Sequence, residues 1–231
     1  MKKSILSLLF AGACLTAMAQ DIRSISSDGG VRIDMNLYQN TTATINQSNL
    51  TYSGNPFIEE DLKEGIVTIG EDNKQVFFMR YNVLNERIEF SKTNDVATLK
   101  ALPKIEDLVI LLEGKTYQYI ESGNLPAGYY EIVKAFDADT FLLVEHDKNI
   151  MEVEQKSSYN SGQKSKIRSS ETIFFFDNKN AIEIDNHKKR SVNAFPESTQ
   201  SELKSFIQDN KIKFNDDYKG LIAIIDKYIT L

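Results

Sequence analysis

Apolar positions recur with a period of two along most of this chain and with a helical period only at its end. Val31, Ile33, Met35 and Leu37 alternate with Arg32, Asp34 and Asn36, which predicts a half-buried strand. From Gly65 onward the runs crowd together. Residues 66–69 lead through the turn 70–74 into 76–81, and the break 82–85 leads into 87–90. Residues 108–112 and 116–120 flank Glu113-Gly114-Lys115, a hairpin with glycine where a positive φ is expected.

Residues 128–155 carry the clearest β pattern. Tyr130 and Ile132 alternate with Tyr129, Glu131 and Val133, and Asp137-Ala138-Asp139 turns the chain into Phe141–Val144. A second polar break at Asp147-Lys148-Asn149 precedes Ile150, Met151 and Val153. The basic, Ser-rich stretch 156–170 reads as a loop, and 171–176 and 181–184 read as strands across Asp177-Asn178-Lys179-Asn180. About ten strands joined by short turns, with no helix between them, exclude a parallel βαβ sheet. The expected fold is mainly β (α+β): an antiparallel meander, open to curving into a half-barrel.

The period then changes. Thr199-x-x-Glu202 reads as a capping box, with Leu203, Phe206 and Ile207 on one helical face. Asn215 reads as the cap of a second helix, with Tyr218, Leu221, Ile222, Ile225, Tyr228 and Ile229 along its stripe. This helical pair, 199–231, is expected to pack on the sheet within a single domain, 20–231. With 231 residues, the chain can bury a sizeable core.

Residues 1–19 read as a signal peptide. Lys2 and Lys3 precede a short apolar run from Ile5 to Leu15, and Ala17-Met18-Ala19 offers a small-x-small cleavage site. The alternative is a lipoprotein signal ending at Cys14, although no Leu stands three residues before that Cys. Either way the expected location is exported, periplasmic or extracellular. Cleavage after Ala19 would remove the single cysteine and with it any disulfide. Without Lys2 and Lys3, 25 of the 27 basic residues face 33 acidic ones, a formal charge of −8. That balance disfavours nucleic acid and anionic membrane surfaces as partners, and no later apolar run reaches the ~20 residues of a membrane-spanning helix.

Arg80-Tyr81-Asn82 with Ile88-Glu89-Phe90, the hairpin in 128–155, and 175–184 followed by two short helices resemble a family of small secreted β-rich proteins of Bacteroidota whose function is uncharacterised. The likeness covers residues 54–231. It implies an exported, mostly β protein and supplies no catalytic residue to carry over.

Candidate chemistry is sparse. His146, in Glu145-His146-Asp147, reads as a solvated strand end, and His187, before Lys188-Lys189-Arg190, as a surface turn. Asp137 with Asp139, and Asp216 with Asp217, read as turn and helix-start residues, since an EF-hand's glycine and downstream acid are missing. Arg80 shares a face with Phe78 and reads as the structural partner of Glu89 on the next strand. Lys156, Lys164, Lys166 and Arg168, with Tyr159, read as a flexible hairpin tip, with a contact surface for an acidic partner as the lesser alternative. No Gly-x-Ser-x-Gly and no phosphate-binding loop occurs. No catalytic, cofactor or metal residue is therefore assigned, and no cofactor is expected. The functional expectation is a non-catalytic binding or interaction module of the cell envelope with a protein partner. The alternative is a periplasmic carrier of an apolar ligand, lined by some of the 13 Phe and 10 Tyr. An enzyme ranks third.

Overall fold

The computed structural model describes residues 52–70, 73–152, 165–177, 180–215 and 217–231. The expected signal peptide and strand 31–37 lie outside them, as do Tyr159, Lys156, Lys164 and Asp216. The described chain is mainly β. Eleven strands form one sheet: β1 (Tyr52–Ser53), β2 (Lys63–Ile69), β3 (Asn73–Asn82), β4 (Arg87–Ser91), β5 (Lys100–Ala101), β6 (Leu108–Leu112), β7 (Lys115–Ile120), β8 (Gly128–Ala135), β9 (Thr140–Met151), β10 (Ser165–Asp177) and β11 (Asn180–Glu183). Two helices follow, α1 (Glu197–Asp209) and α2 (Lys219–Ile229).

The spatial order is β1-β10-β9-β8-β7-β6-β2-β3-β4-β5, with β11 also on β10. Every pairing is antiparallel except β1 with β10, so the sheet is mixed at that edge. The expected meander is thus present as two runs, β2 to β5 and β6 to β10. They join where β6 returns to lie beside β2 instead of beside β5, the connection of a Greek key. At the tip between β6 and β7, Glu113 and Gly114 both take positive φ, 53° and 77°. Two such residues in succession make the tight turn that suits the twist of the flanking strands.

The sheet curls without closing. In a flat sheet β3 and β8 would stand four strand spacings apart, about 19 Å. Yet the rings of Tyr81 and Tyr129 lie 5.9 Å apart, so the concave side closes around them. One core fills that side, with Phe77, Met79, Ile88, Phe90, Ile110 and Tyr117 among its members. Gly65 permits part of this curvature: a Cβ there would lie 2.7 Å from the Leu111 carbonyl and closer still to Met79.

Alternation along β9 and β10 feeds two further cores. Leu142 and Phe175 face α1 and α2, packing on Leu203, Ile207, Leu221, Ile224 and Ile225. Leu143 and Phe176 turn to the opposite face with Ile120, Leu125 and Tyr130. The helical pair does pack on the sheet.

Local differences from the sequence reading have identifiable causes. Asp147-Lys148-Asn149 is no break: β9 runs through it, and β10 starts at Ser165 inside the expected loop. Lys148 and Ser169 are paired, as are Asp147 and Ser170. Two polar segments here pair with each other, so hydrophobic patterning could not show them. The capping box does not form either. Helix α1 opens at Glu197, after Pro196, and the Thr199 hydroxyl donates to the Pro196 carbonyl. Asn215 likewise cedes the cap of α2 to Tyr218, whose φ is 57°.

Candidate functional site

The concave core ends at a polar strip. Period two places His146 on the same face of β9 as the buried Leu142 and Val144, and it is only 8 % exposed. Across the strand pairs, the same strip contains Glu131 of β8, Glu171 of β10 and Lys115 of β7. His146 Nε2 lies 2.8 Å from Glu131 Oε2, and Nδ1 lies 3.1 Å from Glu171 Oε1. Lys115 Nζ donates to the same Glu131 Oε2 at 2.8 Å. Both ring nitrogens face carboxylate oxygens. Both contacts are hydrogen bonds at the same time only when the ring is protonated on both nitrogens or one carboxyl carries a proton.

Burial alone would raise the Glu131 carboxyl above its ordinary value, but the hydrogen bonds from His146 and Lys115, with their charges, outweigh it and hold the group below. This corrects the reading of His146 as a solvated strand end. The signal was available in Leu142-x-Val144-x-His146, an apolar face that a histidine continues.

Next to the strip lies a cleft of about 140 Å³. One wall is the segment leading into β2, with Ile58 and Asp61, together with Lys63 at the start of that strand, and the other is the β6–β7 hairpin, with Leu112 and Glu113. Met79, Tyr81 and Tyr117 form its base and Lys115 borders it. The Ile58 amide donates to the Tyr81 carbonyl at 3.0 Å, and Lys148 Nζ donates to the Phe57 and Asn55 carbonyls, which ties the wall segment to β3 and β9. Tyr117 couples cleft to strip, its ring centroid 6.2 Å from that of His146.

Tyr81 and Tyr117 are each 2 % exposed. Burial first, and then nearby carboxylates, push both phenols well above the ordinary tyrosine value, so both stay neutral. Sequence reasoning missed these two tyrosines, because an aromatic at an inward strand position looks the same whether its hydroxyl is used or free.

The remaining candidates behave as turns and pairs. Arg80 Nε donates to Glu89 Oε2 at 2.8 Å, as expected of a structural partner. Its guanidinium also lies 3.8 Å from the Phe57 ring centre. Asp137 Oδ1 accepts the Asp139 amide at 2.8 Å, closing the β8–β9 turn. Asp137 also borders a wider depression of about 380 Å³ with Thr140, Asp177 and Tyr228. Asp217 pairs with Lys219 at the start of α2. His187 is exposed in a turn and accepts from the Lys189 amide. Among the described residues, no three His, Cys, Asp or Glu side chains converge as a metal ion would need, and no helix is long and apolar enough to cross a membrane.

Comparison with protein-family models, with curated proteins and with solved structures finds no match to this chain.

Proposed function

We propose that the protein is an exported, non-catalytic interaction module of a bacterial cell envelope, engaging a protein partner through the cleft between the 58–63 segment and the β6–β7 hairpin. The proposal includes the likeness to small secreted Bacteroidota proteins, which rests on the sequence motifs quoted above.

The observation that carries it is the filled interior. An apolar-ligand carrier needs a cavity of roughly 300–1,000 Å³. Here the aromatic side chains that might have lined one pack on each other instead. Phe77 meets Phe90 at 5.0 Å, Tyr81 meets Tyr117 at 5.4 Å and Tyr119 meets Tyr129 at 5.5 Å, all edge to face. The cleft at the rim of this packed side measures about 140 Å³. That is enough for one side chain of a partner and too little for a lipid tail.

The strip of Glu131, His146 and Glu171 has the residue types of acid–base chemistry. Its carboxylates, however, already occupy both ring nitrogens, which favours a structural role.

A photo-cross-linker at Lys63 or Glu113, introduced into the native host, tests the reading. A discrete cross-linked envelope protein is expected from both positions, and none from an equivalent probe at the exposed Lys188. Native mass spectrometry showing a bound apolar molecule, with no discrete cross-link, would overturn it in favour of the carrier.

A further inference from the structure

We infer that the cleft beside Tyr81 and Tyr117 is a socket for a lysine side chain presented by the protein partner, an inference that deepens the interaction reading and rests on it. Four observations converge on a primary ammonium carried on a short alkyl stem.

The first is a pair of unused hydroxyls. Tyr129 and Tyr130, equally buried neighbours, donate to the carbonyls of Pro103 and Pro126. The hydroxyls of Tyr81 and Tyr117 have no hydrogen-bond partner among the described residues. Nor are they among the fully sealed orphan atoms, which are Asn186 Oδ1 and Ser191 Oγ. The cleft that both residues line is where these hydroxyls can be satisfied. Neither hydroxyl is sealed, so a polar group entering the cleft can reach them.

The second is size. An enclosed apolar cavity of about 150 Å³ accommodates a six-carbon ring, so about 140 Å³ suits the five heavy atoms of a butylammonium group. The third is the character of the walls: Ile58, Met79 and Leu112 offer apolar surface to a methylene stem.

The fourth is the sign of the field. Two of the three cations at the cleft are tightly engaged, and the third, Lys63, has a loose and exposed pair. Arg80 is held by Glu89, Lys115 by Glu131 at 2.8 Å, and Lys63 stands 3.9 Å from Asp61. Glu113, at the rim, forms no ion pair among the described residues, and Glu59 is felt only at longer range by Lys148. After burial itself, the charges acting on the Tyr117 phenol are those of Glu131, Glu171 and Glu113, all carboxylates. An incoming cation is therefore favoured over an anion. Two neutral phenols facing it supply lone pairs and ring faces, both of which attract an ammonium.

The test compares three isosteric probes on the folded protein by NMR shift mapping: n-butylammonium, n-butanol and butyrate. Saturable shifts at Tyr81, Tyr117 and Glu113 are expected with butylammonium alone. Tyr117→Phe and Tyr81→Phe preserve the packed rings, and each should weaken binding about tenfold, the loss expected for one hydrogen bond to a charged group. Glu113→Gln should weaken it less and reduce its salt dependence. Equal or tighter binding of butyrate, or binding unchanged in both phenylalanine variants, overturns the inference.

A second arm separates the lysine of a partner from a free amine. Acetylating the lysines of the cross-linked envelope protein should abolish its cross-link at Glu113. A cross-link that survives acetylation overturns the socket and leaves the interaction reading standing. Butylammonium binding with no cross-linked protein in the native host sinks the interaction reading and leaves the cleft chemistry in place.

Discussion

Two glutamates are buried among the described residues, Glu89 on β4 and Glu131 on β8, and their surroundings differ in kind. Glu89 is 1 % exposed and surrounded by donors. Its Oε2 accepts from Arg80 Nε at 2.8 Å, and its Oε1 accepts from Arg87 Nε at 3.0 Å and Asn82 Nδ2 at 2.9 Å. Two fixed cations and an amide converge on one carboxylate, an arrangement that closes on itself. Glu131 has a half-exposed lysine and a histidine, and that histidine is shared with a second carboxylate, Glu171. Both carboxylate oxygens of Glu89 are met by donors. In the Glu131 strip, donors reach Glu131 Oε2 and both Glu171 oxygens, but none among the described residues reaches Glu131 Oε1, and the strip adjoins a cleft where the Tyr81 and Tyr117 hydroxyls have no partner among the described residues. A closed cluster reads as architecture, whereas an open one next to a recess is where binding is to be sought.

The largest effect expected from this contrast is at Glu89. Glu89→Ala leaves Arg80 and Arg87, both only partly exposed, without their carboxylate. Removing one partner of a buried ion pair costs about 3–5 kcal/mol, a large part of a typical stability of roughly 5–15 kcal/mol. Denaturant unfolding should show that loss. A change below about 1 kcal/mol would mean that the arginines find solvent and that the cluster is not closed.

His146 comes next. His146→Leu keeps apolar bulk while stripping a hydrogen bond from both Glu131 and Glu171. A loss of about 2–3 kcal/mol is expected, because Lys115 still serves Glu131 and Glu171 is half-exposed. A double-mutant cycle with Glu131→Gln should give a coupling of about 0.5–3 kcal/mol. Additive effects would dissolve the strip into independent residues.

The same contrast explains how much could be read from the sequence. The Arg80–Glu89 pair was legible because β3 and β4 are joined by a short turn, so the register between them follows from local pattern. The helices and the β6–β7 hairpin were legible for the same local reason. The Glu131 strip draws on β7, β8, β9 and β10, and its assembly depends on the register of a 12-residue strand whose second half is polar. With Asp147-Lys148-Asn149 taken as a break, His146 falls at a strand end and looks solvated. With β9 continuous, it is interior. The cleft was less legible still, since its walls come from the 58–63 segment and from a hairpin tip some fifty residues later in the chain.

The smallest effect, and the one that probes the open cluster most directly, is the pH dependence of Glu131. Hydrogen bonds from His146 and Lys115 hold its carboxyl below the ordinary glutamate value of 4.5 despite burial. A group whose folded value is depressed adds stability that is fully present above the unfolded value. That stability is lost as pH falls through the folded value. The stability difference between the native protein and Glu131→Gln should therefore be constant from neutral pH down to about 5, at roughly 1–2 kcal/mol. It should then shrink as the pH drops below 4.5, because the native carboxyl becomes protonated and comes to resemble the amide. Glu89→Gln measured in parallel provides the contrast, since its loss also includes the unpaired charge of two arginines. Chemical denaturation at a series of pH values gives both curves. A Glu131→Gln difference that grows on acidification would mean that His146 and Lys115 do not favour the ionised carboxylate, and the account of the strip would have to be reversed.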